Sequence, residues 1–313
     1  MVHDSIEPSA EITPALVARD TCVGGRNAII LPVGPGQIEN TLDTIDSILH
    51  FIDPKDTLFV VDDFTQDGTH QRLAEVRHDQ LRLIRNERSY GYLGLHVTVA
   101  NALRYCVSQG PFAVILRIDW DALVTGPHLF SEVARFLDAN RHVGICGRHL
   151  INYDGSSKTY RMHTESVLTK IGYPPPDDRM LGGIGWICRL ALLNGWGLGE
   201  NIFGGSYFIR YECVEAMIEN GFFDQIDDPK YWLIEDVFMT MCAMATGFDR
   251  AHFAAPIAPF AFAYRNLPAP PAELAARGMK VVHSVDKGRW TSAEDNGGVS
   301  AREFFRRQRR ERA

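Results

Sequence analysis

The sequence predicts an α/β protein in which a mostly parallel sheet, flanked by helices, is joined to a smaller second half. Two observations carry that expectation. Apolar runs of strand length alternate with helical stretches from Asn27 to Ile118, and such alternation implies crossover connections with both sheet faces covered. Acidic residues close two of those runs, at the carboxyl ends of the strands where a sheet of this kind places its ligands.

Asn27 to Val33 (NAIILPV) reads as a buried strand, broken by Gly34-Pro35-Gly36 and followed by a helix from about Glu39 to Phe51. Thr57 to Val61 is a second strand that stops at Asp62-Asp63. Gln71 to His78 suits a helix and Leu81 to Arg85 a third strand. Val97 to Ser108 has a helical pattern, and Pro111 to Ile118 (PFAVILRI) is a fourth strand running into Asp119. Past Pro127 the texture changes to a helix near Leu129 to Asn140 and a strand near Val143 to Arg148. A Gly- and Pro-rich middle then extends from Tyr153 to Gly205. A short strand from Tyr207 to Ile209 and a helix near Ile234 to Thr246 come next, and from Pro268 onward there is little periodicity.

With 45% hydrophobic and 23% charged residues over 313 positions, the chain has globular composition and enough length for a sizeable core. The formal charge of −7 argues against whole-surface attraction to nucleic acid, so no nucleic-acid partner is expected. Six cysteines are scattered without metal-like or C-x-x-C spacing, which fits reduced thiols in a cytoplasm. The first residues lack the basic start and apolar run of a secretory signal. The apolar stretch from Ala251 to Tyr264 falls short of the ~20 residues a membrane span needs. The expectation is a soluble, cytoplasmic protein.

Three acidic motifs have chemical potential. In Asp119-Trp120-Asp121 the extended backbone puts both carboxylates on one side, where they can face a hard divalent cation; a solvated turn is the alternative. In Asp62-Asp63-Phe64-Thr65-Gln66-Asp67-Gly68-Thr69, carboxylates at a strand end can accept hydrogen bonds from a base or ribose, or merely close an Asx-type turn. Glu235-Asp236 opens a helix beside aromatic residues, where desolvation raises a carboxylate's proton affinity and suits a general base. Complementing the helix dipole is the plainer reading.

The order of these motifs resembles the inverting family 2 glycosyltransferases of the GT-A fold, over roughly Asn27 to Trp290. Leu31-Pro32-Val33-Gly34 is similar to the family's donor-contacting segment, and Asp62 to Thr69 to its DDxSxDGT signature, with Thr65 in place of serine. The resemblance implies a Rossmann-like nucleotide lobe and makes Pro32, Val33, Asp62 and Asp63 donor-binding, with Asp63 on the base. Gly91, Gly94 and Asn101 echo the family's next segment, and His96 sits where it approaches the diphosphate. Asp119-Trp120-Asp121 becomes the metal motif for Mn2+ or Mg2+, with Asp121 the direct ligand and Asp119 nearer the ribose or a bound water.

By the same resemblance Glu235-Asp236 is the catalytic pair, with Asp236 the base. Gly204 and Gly205 form an acceptor-side turn, and Trp232 joins them as an acceptor contact. His283 is similar to the histidine that supplies a further metal ligand. Lys287 and Arg289 would neutralise diphosphate charge, and Trp290 would cover the site. The implied organisation is a mobile leader (residues 1–26), a donor half (27–125), an acceptor half carrying the base (126–266) and a C-terminal lid and basic tail (267–313). The implied reaction moves a sugar from a nucleotide diphosphate, by default a uridine diphosphate sugar, to a hydroxyl of a glycan, glycolipid or small metabolite.

Other readings remain open. A sugar-1-phosphate nucleotidyltransferase would want a basic residue in the glycine-rich loop after the first strand, which Gly34-Pro35-Gly36-Gln37 lacks. A dinucleotide oxidoreductase is set aside, because no G-x-G-x-x-G follows that strand. A non-catalytic sugar-nucleotide module is the rival outside enzymes. The closing run from Arg302 to Arg310 reads either as a solvated helical tail or as a peripheral contact with anionic lipid.

Overall fold

The computed structural model describes residues 17–18, 20–158, 183–197, 199–224, 226, 234–254, 259–263, 266–287 and 298–312. Its centre is a seven-stranded sheet in the order β3-β2-β1-β4-β7-β6-β8, beside a three-stranded sheet β5-β10-β9. The first four strands of the large sheet, β1 (Ala28–Val33), β2 (Thr57–Asp62), β3 (Leu81–Arg85) and β4 (Val114–Ile118), are mutually parallel, as the strand–helix alternation predicts. The chain is thus α/β with a mostly parallel sheet between helical layers.

Period-2 alternation sorts the strand side chains between two cores. Ile29, Leu31, Leu58 and Val60 face α1 (Ile38–Phe51) and α4 (Leu129–Ala139), meeting Ile45, Ile48, Val133 and Leu137. Ile30, Phe59, Val61 and Ile115 face the other way, toward α3 (Leu95–Ser108) and a second group of helices. Every residue of β1 is buried, which explains why it reads as an unbroken apolar run rather than an alternating one. The short α2 (Thr69–Glu75) completes this half.

The chain from the Gly- and Pro-rich middle onward holds more regular structure than the sequence suggested. The helix α5 (Ile184–Leu193) packs on α7 (Glu235–Ala245), and α6 (Tyr211–Glu219) continues directly from β7 (Ser206–Arg210). β6 (Val143–Gly147) and β8 (Asp249–His252) extend the large sheet beyond β7. Packing of α5 and α6 into the helical core and pairing of the half-buried β8 with β6, not local periodicity, decide these elements, so pattern reading missed α5, α6 and β8.

Strand β7 runs antiparallel to β4, with Ser206 opposite Ile118. That reversal has a functional consequence, because the start of β7 lies beside the end of β4. The small sheet is laid over the same edge: β5 (Ala122–Val124) pairs antiparallel with β10 (Val281–His283), which places His283 opposite Ala122. β9 (Phe260–Phe262) pairs on the far side of β10. A third core of Leu123, Ala261, Leu274, Val282, Val285, Ala301 and Phe305 joins this sheet to α8 (Pro271–Ala276) and α9 (Ala301–Arg312).

Both ends of the described chain make contacts that spacing alone did not indicate. The described part of the leader is fastened down: Ala18 donates to the Arg141 carbonyl at 2.9 Å, and Thr21, Cys22 and Val23 all donate to the Asp138 carboxylate. The basic tail is not simply solvated, because Arg302 and Arg309 turn inward onto Asp43 of α1 and are buried there. The six cysteines are buried and unpaired. Among the described residues, no helix is long and apolar enough to cross a membrane.

Candidate active site

The two acidic strand ends leave the sheet on either side of β1. At the end of β2, Asp62 accepts from the backbone N–H and hydroxyl of Thr65, at 3.0 and 2.7 Å, and its other oxygen faces His70 and Arg85. This closes a turn in which Phe64 takes a left-handed φ of 56° beneath the Arg85 guanidinium. Asp63 accepts from Asn86 Nδ2, Ser89 Oγ, Thr98 Oγ1 and the backbone N–H groups of Tyr90 and Gly91, at 2.8 to 3.1 Å. It therefore shapes the segment just after β3. Gly94 lets that segment close, since a Cβ there would stand 2.6 Å from Tyr90 Cβ. Pro32 and Val33 lie buried within β1.

His96, expected near a diphosphate, sits in the core instead. It is 3% exposed, its ring meets Phe238 edge-on and its Nε2 lies 3.2 Å from the Ile226 carbonyl. Burial lowers its pKa, so the imidazole is neutral and packed. Its position on α3 carries the ring toward Phe238 of α7 and the Ile226 carbonyl.

At the end of β4 the arrangement is different. Asp119, Asp121 and His283 bring one oxygen or nitrogen each within 4.8 Å of one another. His283 Nε2 is 3.1 Å from Asp121 and 3.5 Å from Asp119, and Lys287 Nζ is 2.9 Å from Asp121. The Ser284 hydroxyl donates to the same Asp121 carboxylate, and the Val285 N–H donates to the Asp121 carbonyl. Burial disfavours charge on both partners, yet the pairing outweighs it: the His283 pKa rises to about 9, while Asp121 is held far below the usual carboxylate range.

Beneath the cluster lies Arg117, the penultimate residue of β4. Its guanidinium is buried, 2.8 Å from Asp119 and 3.2 Å from Glu235. Glu235 also accepts from the Tyr207 hydroxyl. Burial raises the Glu235 pKa to about 7, with Arg117 opposing. Its neighbour Asp236 is likewise raised by burial, although the backbone N–H groups of Gly204 and Val237 donate to its carboxylate at 2.9 and 2.8 Å. A carboxylate with increased proton affinity is suited to accept a proton at neutral pH.

Gly204 and Gly205 tie these groups together. The Gly205 carbonyl accepts from the Asp119 N–H at 2.8 Å, and Gly205 has φ of +97°. A Cβ on Gly204 would lie 3.1 Å from Asp236 Oδ2, and one on Gly205 3.0 Å from the His283 ring. Here the missing side chains admit the protein's own carboxylate and imidazole. The structure thus assembles Asp119, Asp121, Gly204, Gly205, Glu235, Asp236, His283 and Lys287 at one edge, with Asp62 and Asp63 across β1. Trp232, Arg289 and Trp290 lie outside the described residues.

Residues 36–189, about half of the chain, match the model of glycosyl transferase family 2. The chain belongs to that family. Among solved structures, a mannosyltransferase from Pyrobaculum calidifontis, PcManGT, in complex with GDP-Man and Mn2+, is 17% identical with a TM-score of 0.45; the match covers 78% of this chain and 59% of that one. The S. aureus protein TarS is 16% identical with a TM-score of 0.44, over 74% of this chain and 36% of its own. This glycosyltransferase-family chain thus spans only part of the length of either. No curated protein matches it.

Arg117, Tyr207, Ser284, Arg302 and Asp286 were not singled out as site residues by sequence reasoning. Arg117 left a trace: a charge in the otherwise apolar strand PFAVILRI, in phase with Asp119 and Asp121. The others become visible only when β7 and β10 are placed.

Proposed function

We propose that the chain is an inverting, metal-dependent glycosyltransferase that moves a sugar from a nucleoside diphosphate donor to an acceptor hydroxyl. The observation that supports it best is the convergence of Asp119, Asp121 and His283 from distant segments, beside the buried pair Glu235-Asp236. Two carboxylates and an imidazole suit Mn2+ or Mg2+, and the His283 and Lys287 cations already lie where Asp121 calls for positive charge. A bound divalent ion would supply Lewis-acid stabilisation of the departing diphosphate.

Asp121, Asp119 and His283 would hold that ion. Lys287 would then move from Asp121 toward diphosphate oxygens. Pro32, Val33 and the turn held by Asp63 would cradle the nucleoside, with a uridine diphosphate sugar the default donor. Asp236, kept in place by the Gly204 N–H, would take the acceptor proton as the hydroxyl attacks the anomeric carbon. Glu235 and Arg117 hold the charge balance beneath it, and the acceptor would enter past Gly204. The transition state is oxocarbenium-like, so groups that hold charge contribute more to rate than groups that hold substrate.

The test is thermal unfolding across UDP, GDP, dTDP and CDP with Mn2+, coupled to a transfer assay. One nucleotide should raise the midpoint only with Mn2+. Asp236→Asn should retain that rise while transfer falls ~100- to 10,000-fold, the usual contribution of a general base. No metal-dependent rise with any nucleotide would overturn the donor and metal assignment.

A further inference from the structure

Arg302 of α9 is buried behind the carboxylate cluster, at 7% exposure, and spends its donors on three separate segments. Its Nε donates to Asp286 Oδ1 at 2.7 Å and its Nη2 to Asp286 Oδ2, a two-pronged grip on the loop between His283 and Lys287. Nη2 also donates to the Trp120 carbonyl at 3.0 Å, the peptide between Asp119 and Asp121. Nη1 reaches Asp43 Oδ2 at 2.9 Å and Thr44 Oγ1 at 3.3 Å on α1, and Thr44 itself donates to the Trp120 carbonyl at 2.6 Å.

We propose that Arg302 is a positioning residue for the cation site, fixing the Asp119-Trp120-Asp121 backbone and the His283–Lys287 loop against each other. This rests on the reading of that cluster as a divalent metal site. The two ligand segments lie far apart in sequence, and each carries a backbone or side-chain acceptor that only this guanidinium bridges among the described residues. A planar fork grips both Asp286 oxygens through two nitrogens while also reaching the Trp120 carbonyl and Asp43; an ammonium, whose three donors leave a single atom, lacks that spread. The remainder of α9 secures the fork: Ala301 and Phe305 sit in the third core, and Arg306 and Arg309 pair with Asp43. A metal ligand pair held from behind binds its ion with less reorganisation, and outer partners of metal ligands typically contribute ~10- to 100-fold in affinity.

The experiment is titration of the purified full chain with Mn2+, following free Mn2+ by electron paramagnetic resonance, alongside metal-free thermal unfolding. Wild type, Asp121→Ala, Arg302→Lys, Asp286→Asn, the Arg302→Lys/Asp286→Asn double variant and Arg309→Ala are compared. Arg309 anchors the same helix to Asp43 and Asp46 but touches neither ligand segment. Arg302→Lys and Asp286→Asn should each weaken Mn2+ by about tenfold or more, with the double variant no worse than the stronger single one. Arg309→Ala should lower the melting midpoint yet leave Mn2+ affinity within about twofold of wild type. Unchanged Mn2+ affinity in Arg302→Lys and Asp286→Asn, with wild-type uptake that depends on Asp121, overturns the role of Arg302 alone. Equal weakening in Arg309→Ala does the same, by reducing the effect to helix stability. Absence of Mn2+ uptake by the wild type overturns both this and the proposed metal site.

Discussion

Asp63 and Asp121 occupy equivalent places, one just beyond β2 and one just beyond β4, on opposite sides of β1, yet their surroundings differ in kind. Asp63 is satisfied by five donors, all neutral and all belonging to one local segment. Asp121 is satisfied mainly by cations, His283 and Lys287, brought from the far part of the chain, with one hydroxyl. Neutral backbone and hydroxyl donors belong to the architecture and cannot be exchanged without unfolding the turn. Cations on a carboxylate can be traded for another cation. The first acid builds a surface, and the second is poised to bind.

The sharpest way to break that comparison is to neutralise each acid in turn. Asp121→Asn should weaken Mn2+ by more than the ~100-fold that loss of an outer partner can reach, with a smaller change in metal-free melting than at Asp63. Asp63→Asn should do the reverse, costing about 3 kcal/mol of stability as charge-assisted hydrogen bonds are lost, with Mn2+ affinity near wild type. Isothermal titration and denaturant unfolding of both variants decide it; the same profile for both would erase the distinction.

A smaller effect is expected from Gly205→Ala. The left-handed backbone and the 3.0 Å approach to the His283 ring both oppose a Cβ. A loss of about 1 kcal/mol or more is expected, together with weaker Mn2+ binding because the imidazole must shift. Gly36→Ala, at φ +83° but with open space around it, should cost stability without touching metal affinity. The comparison is sharpened if only the glycine beside His283 affects the ion.

The smallest effect concerns pH. The Glu235 pKa is raised in the folded protein to about 7 from 4.5. The folded state therefore holds a proton that the unfolded chain has released between those values. Its contribution to stability is full below about pH 4.5 and is lost as pH rises through about 7. In Glu235→Gln that part of the decline should vanish, which melting midpoints from pH 5 to 8 would register; an unchanged slope would mean that Glu235 titrates normally.

Much of the first half was legible because its elements declare themselves locally. β1 and β2 are apolar runs with abrupt polar stops, but β4 ends at Ile118, and a turn closed by the Ala122 N–H on the Asp119 carbonyl, not the extended backbone that spacing suggested, carries the Asp119 and Asp121 carboxylates to one site. Even Gly205 and His283 were legible as candidates through the family resemblance. Pattern could not reveal that His96 would face the core, since one helical position decides between site and interior. Nor could it show that Arg302 and Arg309 turn inward, because a run of arginines looks the same whether water or Asp43 receives it. Those outcomes depend on non-local pairing, which spacing does not encode.

The reversal of β7 against β4 and the late return of β10 also set an order of assembly during synthesis. The parallel strands β1 to β4, with the turn around Asp63, leave the ribosome first and can close on one another at once. Gly205 arrives later, then Asp236, then His283, and Arg302 after all of them. At a translation pace of ~5–20 residues per second, roughly ten to forty seconds separate the end of β4 from Arg302, so the groups around Asp121 are completed long after those around Asp63. The surroundings of Asp63 thus draw on one continuous stretch of chain, whereas those of Asp121 draw on nearly all of it.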